Sequence, residues 1–243
     1  MATYVLVPGG WRGGWWFEPL AQRLRAEGHE AYPVTLSGVG DRVVNLDTHI
    51  QDVIDVLTAE DLHDVVLCGH SYGGMVVSGV ADRAPERVDS VVYVDAYVPE
   101  DGDSCFTLTS DAYRAVFLEQ SRGDGHSVQP RQGGDPRTTA QPLATFLQAI
   151  RLTGSLERFR RRDYVYLSGW TGSPFTDLYE RLSQDPAWHV HTLPVGHDVM
   201  AAAADELAEI LLAQQIRDGG DAGLDGVLGS VAETEHQPGL GGR

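Results

Sequence analysis

Gly69-His70-Ser71-Tyr72-Gly73 sets a serine midway between two glycines, the G-x-S-x-G spacing of a nucleophile turn. The glycines permit a strained strand-to-helix bend that exposes the Ser71 hydroxyl at a helix N-terminus, where free N–H groups and the helix dipole favour developing negative charge. A helix-capping serine would not need glycine on both sides. A serine hydroxyl also needs a base. Of nine histidines, His197 stands out, because Val195-Gly196-His197-Asp198 falls between the last expected strand and the last expected helix. In open α/β sheets that edge is where ligands bind. His70 adjoins the serine but is expected to point away from it on the sharp turn, in a structural role. His189 and His191 share a strand face with no third ligand at metal-binding spacing, so no metal is expected.

An imidazole base works only in the correct tautomer, which a carboxylate normally secures. Asp95, at a strand end, keeps the order Ser, Asp, His; its competing role is to bond backbone amides. Asp177 is the fallback, although it falls in or near an expected helix, and a Ser71–His197 dyad without an acid is the third alternative. Two preorganised donors should face the oxyanion. These are the N–H of Tyr72 and, from the loop Pro8-Gly9-Gly10-Trp11, the N–H of Gly10.

The elements that must position these groups are visible as short apolar runs between breakers. Tyr4–Val7, Ala31–Val34, Val65–Cys68, Val88–Val94, Tyr164–Leu167 and Trp188–Leu193 read as strands. Pro33 assigns the second of them to an edge. Glu18–Glu27, Thr48–Glu60, Ser71–Ala84 and Val199–Gln214 read as helices. Their alternation predicts an α/β fold, a mostly parallel sheet flanked by helices. A helical cap is expected to follow the strand ending near Asp95, over about residues 96–162, with helices at Asp111–Gln120 and Leu143–Ile150. One domain, 1–217, is expected, with a Gly-rich, disordered tail at 218–243. From this cap and its rim, Phe106, Phe117, Phe146 and Trp170, together with Trp11, are the candidate substrate contacts, with Tyr113 and Leu147 beside them.

The 243 residues carry a net charge of −17, from 18 basic and 35 acidic side chains. Such a balance argues against nucleic acid and anionic membrane surfaces as partners. Every basic residue is Arg, which excludes a phosphate-loop lysine, a Schiff-base lysine and a lysine base. Two cysteines, Cys68 and Cys105, are too few for a disulfide framework or a thiolate zinc site. No basic leader and no membrane-spanning apolar run is evident. A cytoplasmic location, a small-molecule substrate and no cofactor are expected; a homodimer is left open.

The chain resembles the α/β-hydrolase fold and, within it, the plant hydroxynitrile lyases and small methyl esterases with their bacterial relatives. The resemblance covers about Thr3 to Gln214. It rests on Leu6-Val7-Pro8-Gly9-Gly10-Trp11-Arg12-Gly13-Gly14-Trp15, Thr35-Leu36-Ser37-Gly38-Val39-Gly40-Asp41-Arg42, Gly69-His70-Ser71-Tyr72-Gly73-Gly74, Val94-Asp95-Ala96-Tyr97-Val98-Pro99 and Gly196-His197-Asp198. It implies serine attack on an ester carbonyl, proton relay by histidine and a helical cap over an apolar pocket. Pro8 and Arg12 stand where the family usually has histidines. The family's acid usually follows the strand at Tyr164–Leu167, where this chain has Ser168-Gly169-Trp170-Thr171-Gly172-Ser173-Pro174 and no carboxylate. The active-site lysine of the hydroxynitrile lyases is missing, which argues against cyanohydrin cleavage. The expectation is a serine hydrolase of small carboxylic esters or lactones, working through an acyl-enzyme on Ser71. A lyase, cyclase or isomerase on the same scaffold, and a catalytically silent small-molecule receptor, are the alternatives.

Overall fold

In a computed structural model, residues 1–38, 44–159 and 161–221 are described. The motif residues Val39 to Arg42 and the expected tail beyond 221 therefore lie outside the described residues. The strands are β1 (Thr3–Val7), β2 (Glu30–Pro33), β3 (Val65–His70), β4 (Val88–Val94), β5 (Ser127–Val128), β6 (Gln141–Pro142), β7 (Arg162–Leu167) and β8 (His189–Leu193). The helices are α1 (Glu18–Ala26), α2 (Leu46–Ala59), α3 (Gly73–Arg83), α4 (Cys105–Leu108), α5 (Asp111–Gln120), α6 (Leu143–Leu147), α7 (Thr176–Ser183), α8 (Val199–Ala202) and α9 (Ala204–Asp221).

Six strands form one parallel sheet in the order β2-β1-β3-β4-β7-β8. Both faces are covered, which is why the strands read as unbroken apolar runs. Val5, Leu67, Val91, Tyr93 and Tyr164 face one core with Ile50, Val53 and Leu57 of α2 and Met75, Val76 and Val80 of α3. Their neighbours Tyr4, Leu6, Val66, Val92 and Val165 face the other, with Leu20 and Leu24 of α1 and Leu207 and Leu211 of α9. Strand β2, with Pro33, is an edge strand as expected. Sequence order runs outward in both directions from β1, so the loops after β1 and β3 flank the crevice where the sheet reverses direction. Those loops carry Gly10 and Ser71.

Helix α2 starts at Leu46, two residues before the expected Thr48. The Asn45 side chain accepts the Thr48 N–H at 3.0 Å and the Thr48 hydroxyl returns the bond, so Thr48 is the third residue of a capping box. The C-terminal helix expected as one piece breaks at Ala203 (φ −156°, ψ 43°) into α8 and α9, and α9 runs on to Asp221. Between β4 and β7 the chain forms the cap: α4, α5, α6 and a two-residue antiparallel pair, β5 with β6. That pair is a buried exception to the all-helical cap expected, with Val128 and Gln141 inside. Cys68 in β3 and Cys105 in α4 are both buried free thiols, and burial pushes each up to about 12.

Candidate active site

Ser71 follows the last residue of β3 with φ +54°, a left-handed backbone that a serine adopts only under constraint. The constraint is visible. Ser71 N–H donates to Val94 O (3.2 Å), and Ser71 O accepts from Gly74 N–H (3.0 Å) and Tyr97 N–H (3.2 Å). A Cβ on Gly69 would lie 2.7 Å from Gly73 O, and one on Gly73 would lie 2.4 Å from Val7 O. The glycines of the motif are therefore required by close backbone approach. Helix α3 then starts at Gly73 with Tyr72 as its N-cap residue.

Asp95 is the residue after β4, fully buried, at φ +43°. Its N–H donates to Val165 O (2.7 Å) and its Oδ1 accepts from Leu167 N–H (3.4 Å), so the amide-bonding role exists. Its Oδ2 meets His197 Nδ1 at 2.6 Å. The carboxylate beside the ring is thus Asp95, while Asp177 sits in the first turn of α7. The His197 ring and Ser71 line the same cavity, with Gly10 and Tyr72. An ionised carboxylate only accepts, so Nδ1 of His197 carries the proton and Nε2 is left as the acceptor.

His70 is fully buried and does not line the cavity, in keeping with a structural role. The bend displaces Ser71, whereas His70 is still a strand residue and lies beneath the ring of His197. Its Nε2–H donates to the His197 carbonyl at 3.0 Å, which leaves Nδ1 buried without a partner. Four rings lie in a column, each tilted by 31–36° to the next: Trp16 by His70 (4.2 Å), His70 by His197 (4.5 Å) and His197 by Trp170 (4.2 Å). Burial, and then the neighbouring His197 and Arg12, hold His70 well below the ordinary imidazole range, so it stays neutral. On the other side, the Tyr72 hydroxyl donates to His49 Nδ1 (2.9 Å) and His49 Nε2–H donates to Ser37 O (2.8 Å). Burial raises Tyr72 and lowers His49.

The cavity measures about 750 Å³. Trp11, Phe117, Phe146 and Trp170, the candidate substrate contacts, line it, and Phe117 stacks on Phe146 at 4.4 Å. Phe106 does not line it and packs instead against the core cluster. Successive residues of a helix point about 100° apart, and on α4 it is Cys105 that turns to the cavity. Tyr97 and Phe175 also line the wall and touch each other at 4.8 Å, although the sequence reading did not assign them to the pocket. Both follow strands of the sheet, Tyr97 after β4 and Phe175 after β7, and the rule that ligands sit beyond the carboxyl ends of strands would have found them. Arg12 closes one rim against Trp16 (5.0 Å) and Asp198 (3.8 Å), and Arg137 lies over Trp15 (4.0 Å) while paired with Asp135. His191 bonds Asp163 rather than His189, and no group of three potential metal ligands occurs among the described residues.

A parallel sheet reversing at β1, with a serine turn after β3 and an Asp–His pair at the same edge, defines a hydrolase scaffold. The chain belongs to the alpha/beta hydrolase family, whose model matches residues 4–210. It is 39% identical over 240 residues to a carbendazim hydrolyzing esterase of Nocardioides sp. (strain SG-4G), over 88% of this chain and 99% of that one. An extracellular alpha/beta-hydrolase from a Paenibacillus species has the same fold (TM-score 0.77, 21% identity, 88% of this chain and 98% of that one). So does a pyrethroid hydrolase from Sphingobium faniae (TM-score 0.68, 21% identity, 91% and 98%). The protein is an enzyme of the carboxylic ester hydrolase type. No helix among the described residues is long and apolar enough to cross a membrane.

Proposed function

We propose that the protein is a serine esterase that hydrolyses small aromatic esters or carbamates through an acyl-enzyme. The observation that carries this reading is the 2.6 Å contact between buried Asp95 and His197 Nδ1 in the wall that also holds Ser71. Ser71 Oγ attacks the acyl carbon as His197 Nε2 takes its proton, and the oxyanion accepts from the N–H groups of Gly10 and Tyr72. The imidazolium then gives its proton to the departing alkoxide, releasing the alcohol. Water attacks the acyl-enzyme with Nε2 again as base, and collapse returns the proton to Ser71 and frees the acid. Asp95 stays ionised and offsets the imidazolium charge. Each step uses only this chain and water. Residues 96–162 act as the roof that selects the substrate. Its stacked Phe117 and Phe146, with Trp11 and Trp170, offer flat faces to an aromatic group.

The similarity to a carbendazim-hydrolysing relative makes that flat aromatic methyl carbamate the first substrate to assay, beside p-nitrophenyl butyrate. A fluorophosphonate should label Ser71 in intact-mass and peptide analysis. Ser71→Ala should abolish labelling and lower turnover by about 10⁶-fold. A folded sample that neither takes the label nor turns over either substrate overturns the assignment.

A further inference from the structure

Trp11 is the residue immediately after Gly10 and adopts φ +65°, a conformation that tryptophan rarely holds unaided. Three hydrogen bonds hold it, and all three come from the cap. Its backbone N–H donates to Gln141 Oε1 (3.2 Å), its carbonyl accepts from Thr139 N–H (3.1 Å), and its indole N–H donates to Val128 O (2.9 Å). Gln141 is itself fully determined. It is buried, and its Nε2 donates to Thr145 Oγ1 at 2.8 Å. The Thr145 hydroxyl spends its only proton on Pro142 O (2.7 Å), so it must accept from Gln141. The amide therefore cannot flip, and its oxygen faces the Trp11 N–H. Neither Gln141 nor Thr145 lines the cavity.

We propose that Gln141 is a positioning residue: through Trp11 it holds the Gly10 N–H at the angle that the oxyanion needs, with Thr145 as its orienter. The cap on this account does more than cover the substrate; it completes the electrostatics of the reaction. The proposal rests on the reading of Gly10 as an oxyanion donor. A donor left to wander loses most in the transition state, where the negative charge develops, and little in the ground state.

The experiment compares wild type, Gln141→Leu and Thr145→Val on p-nitrophenyl butyrate. Each is also titrated with an aryl trifluoromethyl ketone, which forms an oxyanionic hemiketal with the serine, and with the matching methyl ketone. Gln141→Leu should lower kcat about ten- to hundredfold and weaken the trifluoromethyl ketone by the same factor, with KM and methyl ketone affinity within about twofold. Thr145→Val, which keeps the side-chain shape, should give the same split at about three- to tenfold. A rise in KM with kcat intact, or equal weakening of both ketones, overturns the proposal. Should Gln141→Leu fail to fold, Thr145→Val decides alone, and unchanged kcat with unchanged trifluoromethyl ketone affinity overturns it. Absence of fluorophosphonate labelling in wild type refutes the serine reading instead, so the two failures are separable.

Discussion

Two buried aspartates at neighbouring strands each hold a histidine, yet their surroundings differ. Asp95 Oδ2 meets His197 Nδ1 at 2.6 Å, and Asp163 Oδ1 meets His191 Nε2 at 2.8 Å, with both carboxylates fully buried. Asp163 also takes Arg161 on both oxygens, at 2.6 and 2.9 Å. It is the second residue of β7, near the amino end of a strand, away from the cavity. Asp95 has no arginine among its bonds; its second oxygen takes one backbone N–H at 3.4 Å. It lies past the carboxyl end of β4, and its histidine opens onto the cavity between the rings of His70 and Trp170. An Asp–His contact is therefore no signature of chemistry by itself. What distinguishes the pair proposed for catalysis is the strand end it occupies, and a carboxylate charge left for an imidazolium instead of being spent on a guanidinium.

The sharpest way to break this contrast is to neutralise each aspartate in turn. Asp95→Asn should lower kcat about 10⁴-fold by favouring the wrong imidazole tautomer, with the fold intact by circular dichroism. Asp163→Asn should leave kcat within about threefold but cost about 3 kcal/mol in urea denaturation, because Arg161, only 12% exposed, loses its counter-charge. Equal losses of activity would erase the distinction. A smaller effect separates two cap phenylalanines. Phe146→Leu should raise KM for an aromatic ester about fivefold, whereas Phe106→Leu should leave it unchanged, in steady-state kinetics.

The smallest effect concerns the neutral histidines around the first pair. Burial holds His70 and His49 below their unfolded value of about 6.5. Below that pH the unfolded chain binds protons that the native state refuses, so stability is complete above it and declines as the pH falls. The melting temperature should accordingly be lower at pH 5.5 than at pH 7.5, and His49→Gln should shrink the difference. A melting temperature that rises on acidification contradicts this account.

The strands and the serine turn are legible in the sequence because their signals are local: apolar runs between breakers, and glycines flanking Ser71. The partner of His197 is legible only as one of three alternatives, since the contact with Asp95 joins residues 102 positions apart. Departure from the family's usual acid position made Asp177 a reasonable fallback until β4 and β8 were seen to end at the same edge. Phe106 was misassigned because apolar spacing reports that a helix has a buried face without saying which residue meets a cavity. The partner of His70 was not legible, since its bond to the His197 carbonyl joins residues 127 positions apart. Gln141 gave no signal at all: a lone polar residue just before an expected helix reads as solvent-facing until its bonds to Trp11 and Thr145 are seen.

The two buried thiols differ in what shields them. Cys68 lies in the middle of the sheet and Cys105 in the first helix of the cap, at the cavity wall, both protonated at neutral pH. A thiol-specific alkylator applied in pulses would reach Cys105 by way of the cavity that it borders, and Cys68 only when the strands part. The ratio of the two tags would separate access at the cavity wall from global melting, with no engineered reporter added to the chain.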